Sequence, residues 1–312
     1  MEYQYIVQSG NVKEMDNKFI FEGKTVEYPD PNTKASITTP EYSSILFPVS
    51  LKAGSFRFDV EFSDVCSLTR CGFLLNHSNI DGKQVYYQVS IRNKVCFCSL
   101  DYFNGTTWDS LSGFGDEGQL ERKKKYSLEL TVEGNILSFL LNGVPVYVYS
   151  RLNTSNGVCG IYTYNESDST ISNVRIKAEK PTAFSIMKFE KDFDELYQNV
   201  IIPVCEEYGY KPLRADECYT SSAIIQDIVK EIASASLIIA DITMDNPNVF
   251  YELGYAHALN KPTILLAETN KRDRLPFDIS GYRTIFYENT IGGKKEIEKM
   301  LHKYIDNIHT KG

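Results

Sequence analysis

The chain has 312 residues, with 33 Lys and Arg against 41 Asp and Glu, a formal net charge of -8. A nucleic-acid backbone needs a clustered basic face, and the one run here, Arg122 to Lys125, reads as a solvated turn before a strand, so no nucleic-acid partner is expected. No apolar run approaches the roughly 20 residues of a membrane span, and MEYQYIVQSG has neither a basic n-region nor an apolar h-region, so the expectation is a cytoplasmic protein.

The length suggests two domains. The 7 cysteines are scattered and odd in number, which suits free thiols in a reducing compartment. Cys66, Cys71, Cys96 and Cys98 lack zinc-ribbon spacing, and Cys96 and Cys98 are expected on one strand face as core thiols. No metal is expected.

Residues 1–178 read at period two. In SFRFDVEF, Phe56, Phe58, Val60 and Phe62 face one way and Arg57, Asp59 and Glu61 the other. Strands are predicted over 84–91, 94–100, 126–132, 136–142, 145–150, 157–163 and 171–177. Glu133-Gly134-Asn135 and Asn142-Gly143 supply turns, because these residues tolerate positive φ. Many short antiparallel strands with an apolar inner face make an all-β sandwich.

The stretch FRFDVEF…CGFLLN…YYQVSIRN…YSLELTVEGNILSFLLNGVPVYVYS…GVCGIYTYNESDSTISNVRI resembles a concanavalin A-like (laminin G-like) jelly-roll module. That resemblance implies a recognition or assembly unit whose ligand is a glycan or a protein. Trp108, with Tyr102 and Phe103, could stack on a sugar ring; the plainer reading is a loop whose aromatics cap the sandwich.

KAEKPTAF (177–184) reads as a linker to a second domain over 183–312. There the chain alternates: strand 184–189, a helix over 192–209 ended by Gly209, strand 210–216, an amphipathic helix over 221–235, and the apolar strand SLIIADIT (236–243). A helix around Glu252, strands 262–268 and 282–288, and a helix over 293–308 follow. The fold class is an α/β doubly wound parallel sheet. Ligands of such sheets sit outside the carboxyl ends of the strands, here near Phe189, Arg214, Asp216, Asp241 and Glu268.

Glu252 stands in DNPNVFYELGYAHALNKP among Phe250, Tyr251, Leu253, Tyr255 and Ala256, and an unpaired Glu needs a reason in such company. In a half-apolar cleft its carboxylate could stabilise positive charge on a sugar ring or attack the anomeric carbon. Asp241 and Asn248 could hold ribose. The helix N-terminus near Asn246 to Asn248, with Arg214, could hold phosphate. The alternative is structural: Asp241 and Asn246 as caps, and Glu252 paired to a buried arginine. His257 reads as a packed histidine.

The stretch YGYKPLRADE…SSAIIQDIVKEIASASLIIADITMDNPNVFYELGYAHALNKPTILLAE…LPFDISGYRTIFYE resembles the bacterial TIR-like, nucleoside 2-deoxyribosyltransferase-like domains. The resemblance implies a flavodoxin/TIR-like fold and Glu252 as the catalytic carboxylate that cleaves an N-glycosidic bond. Asp241, Arg214, Asp216, Ser221, Ser222, Phe277 and Asp278 match cleft-lining segments, joined here by Phe189, Asn246, Asn248 and Tyr251. It further implies NAD as substrate with no tightly bound cofactor, a homo-oligomer, and a role in antiphage defence. Transfer between nucleosides, or a sensor that binds a nucleotide without turnover, are its alternatives.

Overall fold

The computed structural model describes residues 3–29, 36–152, 157–217, 224–272 and 274–310. Contacts divide the chain into two compact units: Met1–Val132, Leu137–Tyr149 and Ser155–Ala178 form one, and Glu133–Ile136, Ser150–Thr154 and Glu179–Gly312 the other.

The first unit holds two seven-stranded sheets. One runs Ile6–Ser9, Tyr42–Phe47, Val158–Tyr164, Arg70–Ile80, Lys83–Arg92, Cys98–Phe103, Trp108–Phe114 in spatial order. The other runs Val144–Tyr149, Ile136–Leu141, Lys125–Glu133, Gly54–Phe62, Ser169–Ala178, Lys18–Phe21, Val12–Met15. The registers are antiparallel. The alternation read in SFRFDVEF holds: Phe56, Phe58, Val60 and Phe62 are all at 0% exposure. Phe73 of the other sheet meets Phe56 and Phe58 with ring centroids 4.9 and 4.7 Å apart, so rings interdigitate across the sandwich.

Three features of this unit differ from expectation. Residues 93–97 form a turn, with Val95 at φ 72°, and the strand begins at Cys98, so Cys96 and Cys98 do not share a strand face. Cys96 Sγ instead accepts from Arg92 Nη2 at 3.0 Å. The stretch read as an aromatic cap is a hairpin: Asn104 Oδ1 accepts from the Thr106 and Thr107 amides, Gly105 takes φ 87°, and Trp108–Phe114 returns as an edge strand. Six described strands also precede residue 50. Their period is weak because several are edge or ribbon strands with exposed apolar residues, Ile6 and Met15 among them.

The second unit carries a five-stranded sheet of Lys211–Arg214, Thr182–Ile186, Leu237–Asp241, Thr263–Glu268 and Thr284–Tyr287, parallel throughout. In chain order this is 2-1-3-4-5, a doubly wound arrangement. The first strand starts at Thr182, inside the stretch read as linker. The helices Ile224–Ser234 and Pro247–Ala258 share a core with Phe184, Ile238 and Leu265. Ile297, Leu301 and Ile305 of the last helix, Ile291–Thr310, belong to a second core with Phe193, Ile239 and Leu266. Ile225, expected on the apolar face of its helix, is 48% exposed in the first turn.

The first helix of this unit begins at Lys191 and contains a π turn over Tyr197–Ile201 before it resumes at Ile202. It stops where Gly209 takes φ 75°, which is available to glycine at little cost. Among the described residues, no helix is long and apolar enough to cross a membrane.

Candidate functional site at the carboxyl edge of the parallel sheet

The strand order reverses between Thr182–Ile186 and Leu237–Asp241. The crevice of a doubly wound sheet lies outside their carboxyl ends, between the segments 187–190 and 242–246. The helix with Glu252 starts from the second of these. Asn246 is its cap: the backbone is extended, and Oδ1 accepts from the Asn248 amide at 2.9 Å. Pro247 follows at the first helical position, where its fixed φ suits the helix and its missing N–H costs little. Val249, Leu253 and Ala256 form the buried stripe. Glu252 lies on its flank, three residues after Val249 and four before Ala256, and is half-buried.

Among the described residues, Glu252 has no side-chain hydrogen bond and no ion pair, so the arginine partner of the structural alternative is not found there. Burial pushes its carboxyl up to about 7. The cause is loss of hydration without compensation, the condition under which a carboxylate becomes reactive near neutral pH. Neighbouring Tyr251 is 58% exposed.

Other expected site residues are held by the protein itself. Asp241, at 3% exposure, accepts from the Thr243 amide at 2.9 Å on one oxygen and from the Tyr287 hydroxyl at 2.7 Å on the other. Burial raises its pKa, and the bonds from Thr243 and Tyr287 oppose the rise. Expected to hold ribose, Asp241 is here a brace between strand ends. Arg214, expected to hold phosphate, is 6% exposed. Its Nε and Nη2 donate to the two oxygens of Asp216 at 2.7 and 2.6 Å, and Nη1 donates to Asp194 at 2.7 Å. The rings of Tyr197 and Phe189 lie 4.7 and 5.5 Å from the guanidinium. Asp216 and Phe189 are therefore partners of Arg214 first, although Phe189 stays 54% exposed. The helix N-terminus expected to seat an anion is capped from within by Asn246.

Asn248 and Asp278 are exposed, and Phe277 is 91% exposed at the tip of the Phe277–Ile279 turn. Ser221 and Ser222 lie outside the described residues. His257 stacks on Tyr282 at 4.2 Å and 8°, as suits a packed histidine, and burial lowers its pKa.

Sequence reasoning missed Arg272, which is 9% exposed. Its Nε donates to the Thr243 carbonyl at 3.3 Å, and its Nη2 pairs with the Asp245 carboxylate. The Glu268 amide also donates to Thr243 Oγ1 at 2.8 Å. These bonds fix the loop leading into the Glu252 helix. Lys271 lies 2.9 Å from Glu268 and 3.3 Å from Asp192, and Lys188 pairs with Glu190. The available signal was KRDR at 271–274, basic residues directly after a strand on the ligand-binding edge.

The sandwich unit holds a separate aromatic group. Trp108 is 49% exposed, with its ring 4.9 Å from Phe103 and 5.7 Å from Tyr86. Tyr102, expected beside it, packs on Tyr87 at 4.7 Å.

No family model matches the chain, and no curated protein matches it. Solved structures match over about half its length. Carbohydrate-binding module CBM66 from Bacillus subtilis is 15% identical, covering 55% of this chain and 92% of its own, with a TM-score of 0.43. Galectin LEC-6 from Caenorhabditis elegans is 17% identical, over 52% of this chain and 99% of its own, with a TM-score of 0.31. The Emp46p carbohydrate recognition domain is 12% identical, over 55% and 86%, with a TM-score of 0.37. All three TM-scores lie below 0.5, so these likenesses carry no argument about this chain.

Proposed function

We propose that the α/β unit cleaves an N-glycosidic bond of a nucleotide, with NAD as the first substrate to test and Glu252 as the catalytic carboxylate. The observation that carries this reading is a half-buried carboxyl group, unpartnered among the described residues, on the helix that leaves the third strand. In the reaction the bond between ribose C1′ and the pyridinium nitrogen breaks. The electron pair stays with nicotinamide, which leaves neutral. Ionised Glu252 stabilises the oxocarbenium-like sugar, and water completes C1′ and releases a proton. Glu252 must be charged for this. The pyridinium cation, once bound, draws its pKa back down, since an opposite charge nearby favours the ionised form.

Incubation with NAD should release nicotinamide, and Glu252→Gln should reduce the rate by about a hundredfold to a thousandfold, the scale lost with one group that stabilises transition-state charge. Intact NAD under every assembly condition tried would sink the reading. Activity gated by self-association, and a role in antiphage defence, belong to this proposal, as does nucleoside transfer should NAD stay intact while a nucleoside panel reacts.

A second reading concerns the sandwich. The half-exposed Trp108, backed by Phe103 and Tyr86, offers a flat apolar surface of the kind on which a sugar ring stacks. A glycan array probed with the chain and with Trp108→Ala tests it. Binding that survives the substitution rejects this surface.

A further inference from the structure

Two adjoining cavities open in the sandwich unit, beside the edge strands Ile6–Ser9 and Val12–Met15. One, of about 210 Å³, is lined by Tyr3, Glu14, Phe19, Val174 and Arg175 among others. The other, of about 680 Å³, takes in Tyr5, Ile6 and Pro48, and Tyr3 and Glu14 belong to both. A single water needs about 10–15 Å³, so each has room for a solute. Left-handed backbone shapes the walls. The Asp16-Asn17 turn, at φ 52° and 59°, sends the chain back so that Glu14 stands opposite Phe19. On the strand Ser169–Ala178, Asn173 takes φ 54° inside a bulge between Ser172 and Arg175, and its Nδ2 donates to Asp59 at 2.7 Å.

Tyr3 meets Phe47 edge to face at 5.8 Å, and Tyr5 meets Phe19 likewise at 4.9 Å; such a contact covers at most one face of a ring. The Tyr5 hydroxyl bonds to Glu14, and its pKa is raised by burial and by that carboxylate. Glu14 and Arg175 line the same cavity, yet among the described residues neither has an ion pair, with the other or with any third group. A lone anion there would gain from Arg175 and lose to Glu14, and a lone cation the reverse. A ligand carrying both signs gains from both.

We infer that this cleft takes a zwitterionic α-amino acid with an apolar side chain. Its carboxylate meets Arg175, its ammonium meets Glu14, and its side chain runs along Tyr5, Ile6 and Pro48. The site is independent of Glu252. It is also separate from Trp108, because Ile6–Ser9 and Trp108–Phe114 are the first and last strands of one seven-stranded sheet.

Calorimetry of the full chain with L-leucine at low salt tests this. Binding should weaken about tenfold for N-acetyl-L-leucine, which lacks the ammonium, and for L-leucinamide, which lacks the carboxylate; that is the scale of one charge-assisted hydrogen bond. Glu14→Gln should weaken leucine about tenfold and leave N-acetyl-L-leucine unchanged, and Arg175→Gln should do the same with L-leucinamide as the unchanged compound. Both side chains are exposed, so an unaltered denaturation midpoint is expected of each variant. Trp108→Ala should leave leucine binding as it was. The two masked compounds also mimic the ends of a peptide, so equal or tighter binding of either by the parent chain would move the ligand to a peptide and overturn the inference. No heat with leucine at about 10 mM overturns it as well.

Discussion

Buried Asp59 of the sandwich and half-buried Glu252 of the α/β unit are treated differently. In the sandwich, Asp59 is 6% exposed; it accepts from Asn173 Nδ2 at 2.7 Å and has Lys125 Nζ at 3.8 Å. In the α/β unit, Glu252 has no such partner among the described residues, and burial lifts its carboxyl to about 7. The contrast is sharper because cations are at hand on the same sheet edge. Arg214, Arg272 and Lys271 each bind carboxylates, and none of these is Glu252. A buried anion left alone costs stability. Asp59 keeps one oxygen bonded while its Oδ1 stays without a partner, whereas neither oxygen of Glu252 is bonded among the described residues, and under the proposed function that carboxylate is the one available for chemistry.

The largest effect expected in stability comes from the sandwich core. Phe58→Ala removes a ring at 0% exposure that meets Phe73 at 4.7 Å and Phe56 at 6.1 Å, and should destabilise that unit by about 3–5 kcal/mol in denaturant unfolding. A loss below about 1 kcal/mol would mean that the interleaved rings are not its core.

A smaller effect, of opposite sign, is expected at Glu252. Its folded pKa is raised, so the folded state binds the proton more tightly than the unfolded state does. The protein is relieved of the burden below the unfolded value near 4.5 and carries it in full once pH has risen through about 7. Glu252→Gln should therefore stabilise the fold by about 2 kcal/mol at pH 8, a figure that allows for partial solvent screening, with the gain fading by pH 4. A variant less stable than the parent at pH 8 would show that the carboxylate is paired after all.

The mildest effect sharpens the same contrast through rate. With free enzyme, kcat/KM for nicotinamide release should fall about tenfold for each pH unit below 7, as the essential carboxylate takes up its proton. A flat profile between pH 5 and 8 would detach catalysis from Glu252.

Much of this was legible in the chain. SFRFDVEF announces its inner face because every second residue is apolar, and the LIIAD stretch announces burial on both faces because none is polar until the strand ends. Glu252 stood out for the same reason, its apolar company, which is also what raises its pKa. The ties of Arg214 to Asp194 and of Arg272 to Asp245 were not legible. They span 20 and 27 residues and depend on which strand ends become neighbours. The roles expected of Arg214 and of the helix N-terminus failed to anticipate these internal partners. The Trp108 hairpin was missed because its residues are mostly exposed and carry no clear alternation.

The π turn at Tyr197–Ile201 has one more effect. A helix advances about 100° per residue, so one additional residue in a single turn rotates everything on one side of it relative to the other. Upstream of that turn stands Asp194, and at its start the ring of Tyr197; both touch Arg214. Downstream, Val204 and Cys205 fill the core. Tyr197, Val204 and Cys205 still belong to one core, so the wider turn shifts the phase of that buried stripe without breaking it.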